Sequence, residues 1–317
     1  MVSYKVIAIL LVVVLHFWFG GCAHKPVTSP NFLVSEETRE PSNDNFEGLT
    51  YEAFMTIKKF SEVGFGCVKK DKATRCVIPQ TLAPEVLAGY NRSVAILIPN
   101  QLENPQSNEA AINRFLYFFH GHDVKGRGFE WYLSNFNIDK QFEETGFTRT
   151  ILIVPASKGN CEDFQDFFAL KPKKFDEFNF AIMRILGMNP SQLSSISLSG
   201  HSGSYRTLAN IATNETREQV PLLNTLHPLI NQLGLLDATY GDTERFYKWT
   251  AQDQRNRKLI MSCATEEPCA GMSFHSIGSL PNITRREIQK PNSYVAIDHY
   301  DVGIQCLRAT WEAKACN

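Results

Sequence analysis

Apolar and polar positions divide the chain into three stretches. Val6 to Phe19 is almost wholly apolar, whereas Ala23 to about Thr50 mixes Pro26, Pro30 and Pro41 with Ser, Thr, Asn and Glu and has no apolar periodicity. Beyond Tyr51, apolar runs return at regular intervals. Tyr51 to Val63 places its apolar residues at helical spacing and predicts a helix. Cys67 to Ile78 predicts two short strands about the polar turn Lys69-Lys70-Asp71-Lys72. Ser93 to Ile98 is rich in β-formers and stops at Pro99. Phe115 to Phe119 and Thr150 to Val154 are continuous apolar runs, as expected of strands covered on both faces. Ser195 to Leu198, Leu233 to Leu236, Lys258 to Met261 and Tyr294 to Ile297 continue the series. Ile138 to Glu144, Glu177 to Leu186 and Tyr205 to Thr213 are long enough for crossover helices. Strands alternating with helices predict one α/β domain over residues 51–317, with a mainly parallel sheet and helices on both faces. In such sheets, reactive groups gather on loops beyond the carboxyl ends of the strands.

Composition adds little to this picture, but it excludes some functions. The 317 residues are 43% hydrophobic and 21% charged, too apolar for general disorder. Net charge is −1, from 32 basic and 33 acidic residues, so the basic footprint of a nucleic-acid binder is missing. Cysteine spacing is more informative. With Cys22 set aside, Cys67/Cys76, Cys263/Cys269 and Cys306/Cys316 are close pairs, expected as disulfides in an oxidising compartment. Proximity leaves other connectivities open. Cys161 remains as a buried free thiol, and the absence of any C-x-x-C pair speaks against a zinc site.

The N-terminal run suits the apolar region of a secretory signal and is short for a bilayer span. It ends in Phe19-Gly20-Gly21-Cys22, which resembles the bacterial lipobox, with Phe19 where Leu is usual. The resemblance implies a signal peptide over residues 1–21, lipidation of Cys22, and a flexible tether over residues 22–50. Ala23, rather than Asp, follows the cysteine, and this implies a lipid-anchored protein of the bacterial outer membrane within the cell envelope. An uncleaved membrane anchor is the alternative.

The strand Ser195 to Leu198 runs into Ser199-Gly200-His201-Ser202-Gly203-Ser204 and then a helix. This resembles the nucleophile elbow, G-x-S-x-G, in its strand–turn–helix setting, with Ser204 in place of the last Gly. An elbow needs small neighbours so that backbone can approach closely, and Gly200 and Gly203 are expected to meet that need. Upstream, Phe115 to Phe119 leads into His120-Gly121-His122-Asp123, which resembles an oxyanion-hole loop. Together with chain order, these motifs make residues 93–303 similar to the α/β-hydrolase superfamily.

That resemblance implies Ser202 as nucleophile, with the backbone N–H groups of His122 and Gly203 holding the oxyanion, each such donor worth roughly 3–4 kcal/mol. His120 is then structural. His299, in Asp298-His299-Tyr300-Asp301 on the loop after the last strand, is the general base. His227 and His275 fit that role less well. Asp237, which ends the strand Leu233 to Leu236, is the expected acid, with Glu266 or Glu267 as alternatives. The implied activity is a serine hydrolase of the cell envelope, cleaving a small-molecule or polymer ester (an amide as second choice) through an acyl-enzyme. That chemistry needs no cofactor and no metal.

Two other functions remain open at this level. One is a non-catalytic binding lipoprotein that keeps the hydrolase fold. The other is a metal-dependent hydrolase using His120 and His122 as an H-x-H pair, although Val124 stands where the metallo-β-lactamase pattern needs Asp. Aromatic residues at Phe129, Trp131, Tyr132 and Phe136, and at Phe164, Phe167 and Phe168, are read either as core or as pocket walls. Phe246, Tyr247 and Trp249 mark a possible cap, and Arg206 a possible carboxylate partner.

Overall fold

The apolar runs assemble into one nine-stranded sheet, seen in a computed structural model that describes residues 47–104, 110–121, 128–157, 164, 167–168, 172–213, 226–264, 269–271, 280–288, 299–314 and 316. A helix α1 (Tyr51–Glu62), its first turn capped by the Thr50 side chain, precedes the hairpin β1 (Gly66–Lys69) and β2 (Ala73–Ile78). The short helix α2 (Ala83–Val86) leads to β3 (Val94–Pro99) and then β4 (Arg114–Phe119). Helices α3 (Phe129–Asn135) and α4 (Ile138–Glu144) cross to β5 (Thr150–Pro155), and α5 (Pro172–Leu186) crosses to β6 (Ser195–His201). Next come α6 (Tyr205–Thr213), β7 (Ile230–Leu236), α7 (Thr243–Gln252), β8 (Lys258–Cys263), β9 (Ile283–Glu287) and finally α8 (His299–Trp311).

Strand order is β1-β2-β3-β5-β4-β6-β7-β8-β9. The first three pairings are antiparallel, and every pairing from β5 through β4 to β9 is parallel. Period-two alternation sorts the central strands onto two cores. Phe115, Tyr117 and Phe119 face a core built with α1, α5, α6 and α7. Leu116 and Phe118 face a second core built with α3, α4 and α8. This is the α/β-hydrolase fold: a twisted, mainly parallel sheet clothed on both sides, its order swapped once between β4 and β5.

Three disulfides join the pairs expected from spacing, namely Cys67–Cys76, Cys263–Cys269 and Cys306–Cys316. Two features differ from expectation. The strand beside β8 is Ile283–Glu287, an exposed edge strand with two arginines, and the expected strand Tyr294 to Ile297 lies outside the described residues. The crossover helix expected from Glu177 begins at Pro172, because Phe175 and Phe178 bury themselves about two turns and one turn before Ile182. Residues 1–46, with Cys22 and the tether, also lie outside, as does Cys161.

Candidate active site

β6 and β7 are neighbours in the sheet, and their parallel ladder sets His201 opposite Leu236. The next residues, Ser202 and Asp237, therefore leave the sheet at the same level. Both take left-handed backbone angles, φ +54° at Ser202 and +46° at Asp237. That region costs a non-glycine residue about 1–2 kcal/mol, and it is found where the surroundings hold a residue in place for a task.

At the elbow, Ser202–Ser204 forms one 3₁₀ turn that feeds α6. A Cβ on Gly200 would sit 2.3 Å from Ser204 Oγ and 2.5 Å from Leu208 Cδ1. Ser204 thus occupies the space that Gly200 leaves, and its hydroxyl donates to the His201 carbonyl at 2.9 Å. Among the described residues the close approach expected at Gly203 is not found, since a Cβ would meet none of them within 4 Å. It falls instead on Gly121, where a Cβ would lie 2.7 Å from both His201 Nδ1 and Ser202 Cβ. The His120-Gly121 turn therefore lies directly against the nucleophile candidate.

His120 holds that turn. Its Nδ1–H donates to the Gly121 carbonyl at 2.9 Å, its Nε2 accepts from the Ser157 amide at 3.0 Å, and its ring stacks on Tyr132 at 4.0 Å. With both ring nitrogens engaged, His120 has no lone pair left for a metal. Among the described residues, no group of three or more His, Cys, Asp and Glu is placed to hold one. His122, the other H-x-H member and an expected oxyanion donor, lies outside the described residues.

Asp237 is fully buried. Its Oδ1 accepts the Ala264 amide at 2.9 Å, and its Oδ2 lies 2.5 Å from His299 Nδ1. Its own amide donates to the Ser262 carbonyl at 2.7 Å. A buried carboxylate persists only with such partners, and here a neighbouring strand end and an imidazole supply them. Because a carboxylate only accepts, His299 Nδ1 carries the proton and Nε2 keeps its lone pair. Tyr240 Oη stands 3.4 Å from the same Nδ1 as a weaker neighbour.

Asp237 and His299 are thus brought together, while Glu266, Glu267 and His275 lie outside the described residues. His299 itself was expected on a loop and is the first residue of α8. His227 is occupied elsewhere, its Nε2 against the Ala212 carbonyl under α6.

Burial decides between the two readings of the first aromatic group and corrects the reading of the second. Tyr132, Phe136, Phe164 and Phe168 are buried core, and Phe129, Trp131 and Phe167 pack against it. Their ties to the site run through its histidines, Tyr132 on His120 and Phe136 edge-on to His201 at 5.1 Å. Phe246, Tyr247 and Trp249 are also buried, because α7 must cover the sheet between β7 and β8, and they form no cap. Arg206 is exposed, and its Nε donates to the Tyr205 hydroxyl at 2.9 Å.

Sequence reasoning passed over His201, the residue before the nucleophile. It is fully buried and its Nε2 lies 2.9 Å from the His299 carbonyl. Burial, and then the nearby His299, push its pKa down to about 3. The signal was legible in β6, where Ser197, Ser199 and His201 put a polar face into a buried strand.

No family model matches the sequence, and no curated protein does. Among solved structures, the chain is similar to a ferulic acid esterase, at 12% identity and TM-score 0.44 over 77% of this chain and 99% of that one. An inhibited esterase B from Lactobacillus rhamnosis gives 10% identity and TM-score 0.42, with 82% and 92% covered. An S-formylglutathione hydrolase from Staphylococcus aureus gives 11% and 0.42, with 79% and 99% covered.

Proposed function

We propose that this protein is a serine hydrolase that cleaves a carboxylic ester through an acyl-enzyme on Ser202. The reading is carried by one observation: a buried Asp237 holds His299 Nδ1 at 2.5 Å at the carboxyl end of the sheet, one strand from a left-handed serine elbow. Asp237 fixes the tautomer and stabilises the imidazolium that forms during reaction. His299 Nε2 takes the Ser202 proton as Oγ attacks the ester carbonyl. The tetrahedral oxyanion is held by the N–H groups of Gly203 and His122. Its collapse expels the alcohol, which leaves with the proton from His299. Water then attacks the acyl-enzyme by the same route and releases the acid and the free serine. No step calls on a cofactor or metal.

The test is labelling of the full-length protein with a fluorophosphonate probe, beside Ser202→Ala and His299→Ala. The expected result is labelling of the parent alone. Labelling that survived in Ser202→Ala would name another nucleophile, and an unlabelled, folded parent would overturn the reading.

The sequence further supports anchoring of this activity in the cell envelope, with residues 1–21 removed and Cys22 lipidated ahead of a tether to the domain over residues 51–317. Metabolic labelling with an alkyne fatty acid tests this, with incorporation expected in the parent and lost in Cys22→Ser. Incorporation that persists in the variant would remove Cys22 from the proposal.

A further inference from the structure

The polar face of β6 touches α8 at both of its ends. At the far end, Trp311 Nε1 donates to Ser199 Oγ at 3.0 Å, and Ser199 Oγ in turn donates to the Tyr117 carbonyl at 2.6 Å. Arg114 stands alongside, with NH2 reaching Ser197 Oγ at 2.8 Å and the Trp311 carbonyl at 3.3 Å. At the near end, His201 Nε2 reaches the His299 carbonyl at 2.9 Å. His299 is the first residue of α8, so this contact fixes the start of the helix and, with it, the base candidate.

We infer that His201 is a positioning residue: its Nε2–H holds the His299 backbone against the elbow and so sets the distance between nucleophile and base. The inference rests on the serine-hydrolase reading and goes one step beyond it, since His201 touches no reacting atom. A carbonyl only accepts, so the geometry requires the neutral Nε2–H tautomer. The other nitrogen, Nδ1, is buried without a hydrogen-bond partner among the described residues, pressed against Gly121. Burying an imidazole nitrogen unpaired costs free energy, and the hydrogen bond made by Nε2 offsets it. The ring is immobilised on three sides, by the edge of Phe136 at 5.1 Å, the stacked face of Tyr300 at 5.4 Å and the His299 ring at 4.3 Å. His201 is covalently next to Ser202 and hydrogen-bonded to His299, so one rigid ring connects two groups that must meet. With its pKa near 3, the ring stays neutral while His299 gains and loses its proton.

Two variants separate this role from packing. His201→Leu fills the space without a donor, and His201→Gln restores an N–H donor of similar reach. Loss of register on the order of 1 Å lowers turnover about 100-fold. We expect kcat on a generic aryl ester, and the rate of fluorophosphonate labelling, to fall about 10- to 100-fold in His201→Leu with KM unchanged, and His201→Gln to recover most of it. Ser199→Ala, which cuts the far tether, should lower the unfolding midpoint yet leave kcat within about twofold. Parent-like kcat in folded His201→Leu would overturn the inference, as would equal loss in the Leu and Gln variants. An unreactive parent would instead sink the hydrolase reading itself. A measurement that needs neither activity nor a folded variant is the long-range ¹H–¹⁵N spectrum of the parent's imidazoles. It should show His201 as the neutral Nε2–H tautomer from pH 5 to 9, and an Nδ1–H tautomer would refute the hydrogen bond outright.

Discussion

Gly200 and Ser204 share one volume: a Cβ on the glycine would come within 2.3 Å of the serine hydroxyl. The motif position that usually holds a glycine carries a side chain here because the position four residues earlier carries none. Gly200→Ala should destabilise the fold by about 1–3 kcal/mol, the usual penalty for forcing atoms into a filled core. Adding Ser204→Gly should recover part of that loss, the remainder being the 2.5 Å approach to Leu208 Cδ1. Urea unfolding of the single and double variants checks this, and strictly additive losses would show that the two sites do not share space.

The carboxylate of Asp237 is divided between the Ala264 amide and His299. In Asp237→Asn the amide oxygen can still serve Ala264, but an NH2 group then faces His299 and favours the wrong tautomer. We expect kcat to fall about 10³- to 10⁴-fold with the fold intact. Glu266→Gln and Glu267→Gln, assayed in parallel, should stay near the parent. A large loss in either, with a mild effect in Asp237→Asn, would move the acid to that glutamate.

The Cys263–Cys269 disulfide begins at the residue before Ala264, whose amide serves Asp237. Cutting it with Cys269→Ser should loosen that donor and lower kcat about tenfold, the factor that roughly 1.4 kcal/mol represents. The pair Cys67→Ser/Cys76→Ser breaks a disulfide at the β1–β2 hairpin, away from the site. It should change stability and leave turnover per folded molecule the same within about twofold. Equal kinetic effects from both cuts would count against a specific role for the Cys263–Cys269 bond.

Acid should destabilise the protein in a window set by His201. An unfolded imidazole takes up a proton near pH 6.5, whereas the buried ring resists until about 3. Between those values the unfolded chain binds more protons, so stability is complete above about 6.5 and declines as pH falls towards 3. Asp237, His299 and His120 lie close enough to this ring to act on it electrostatically. His201→Gln should therefore flatten the dependence of the urea midpoint on pH over that window without abolishing it. An unchanged slope would mean that the ring is already protonated or exposed.

The sheet was readable where strands are covered on both faces. Val94–Pro99, Arg114–Phe119 and Thr150–Pro155 are nearly unbroken apolar runs, and burial on two sides demands that pattern. Ile283–Glu287 was missed because an edge strand needs only one paired side, and Thr284, Arg285 and Arg286 show no apolar run. Phe246, Tyr247 and Trp249 mark a possible cap in the sequence because aromatic content alone does not tell a helix that covers the sheet from one that covers a pocket. Within the site, chain order made Ser202, Asp237 and His299 candidates. His201 was passed over because the variable position of a motif reads as a spacer. Only the partner of its side chain, a main-chain carbonyl 98 residues later, reveals a task, and no local pattern encodes that.

The paired exits of Ser202 and Asp237 from adjacent strands make the sheet itself a ruler. Hydrogen-bonded strands are held about 4.8 Å apart, and the ladder stops both at one rung, His201 against Leu236. In the proposed triad, the spacing between nucleophile and acid is thereby set by the hydrogen-bonded sheet, before any loop is considered. Only one group has to be delivered from elsewhere, and it arrives on the end of a helix tethered to that same strand. Loops around such a frame can change length and sequence to suit different substrates while the frame stays the same. A change at the rim leaves that distance alone, whereas a slip of one rung between the two strands would undo it.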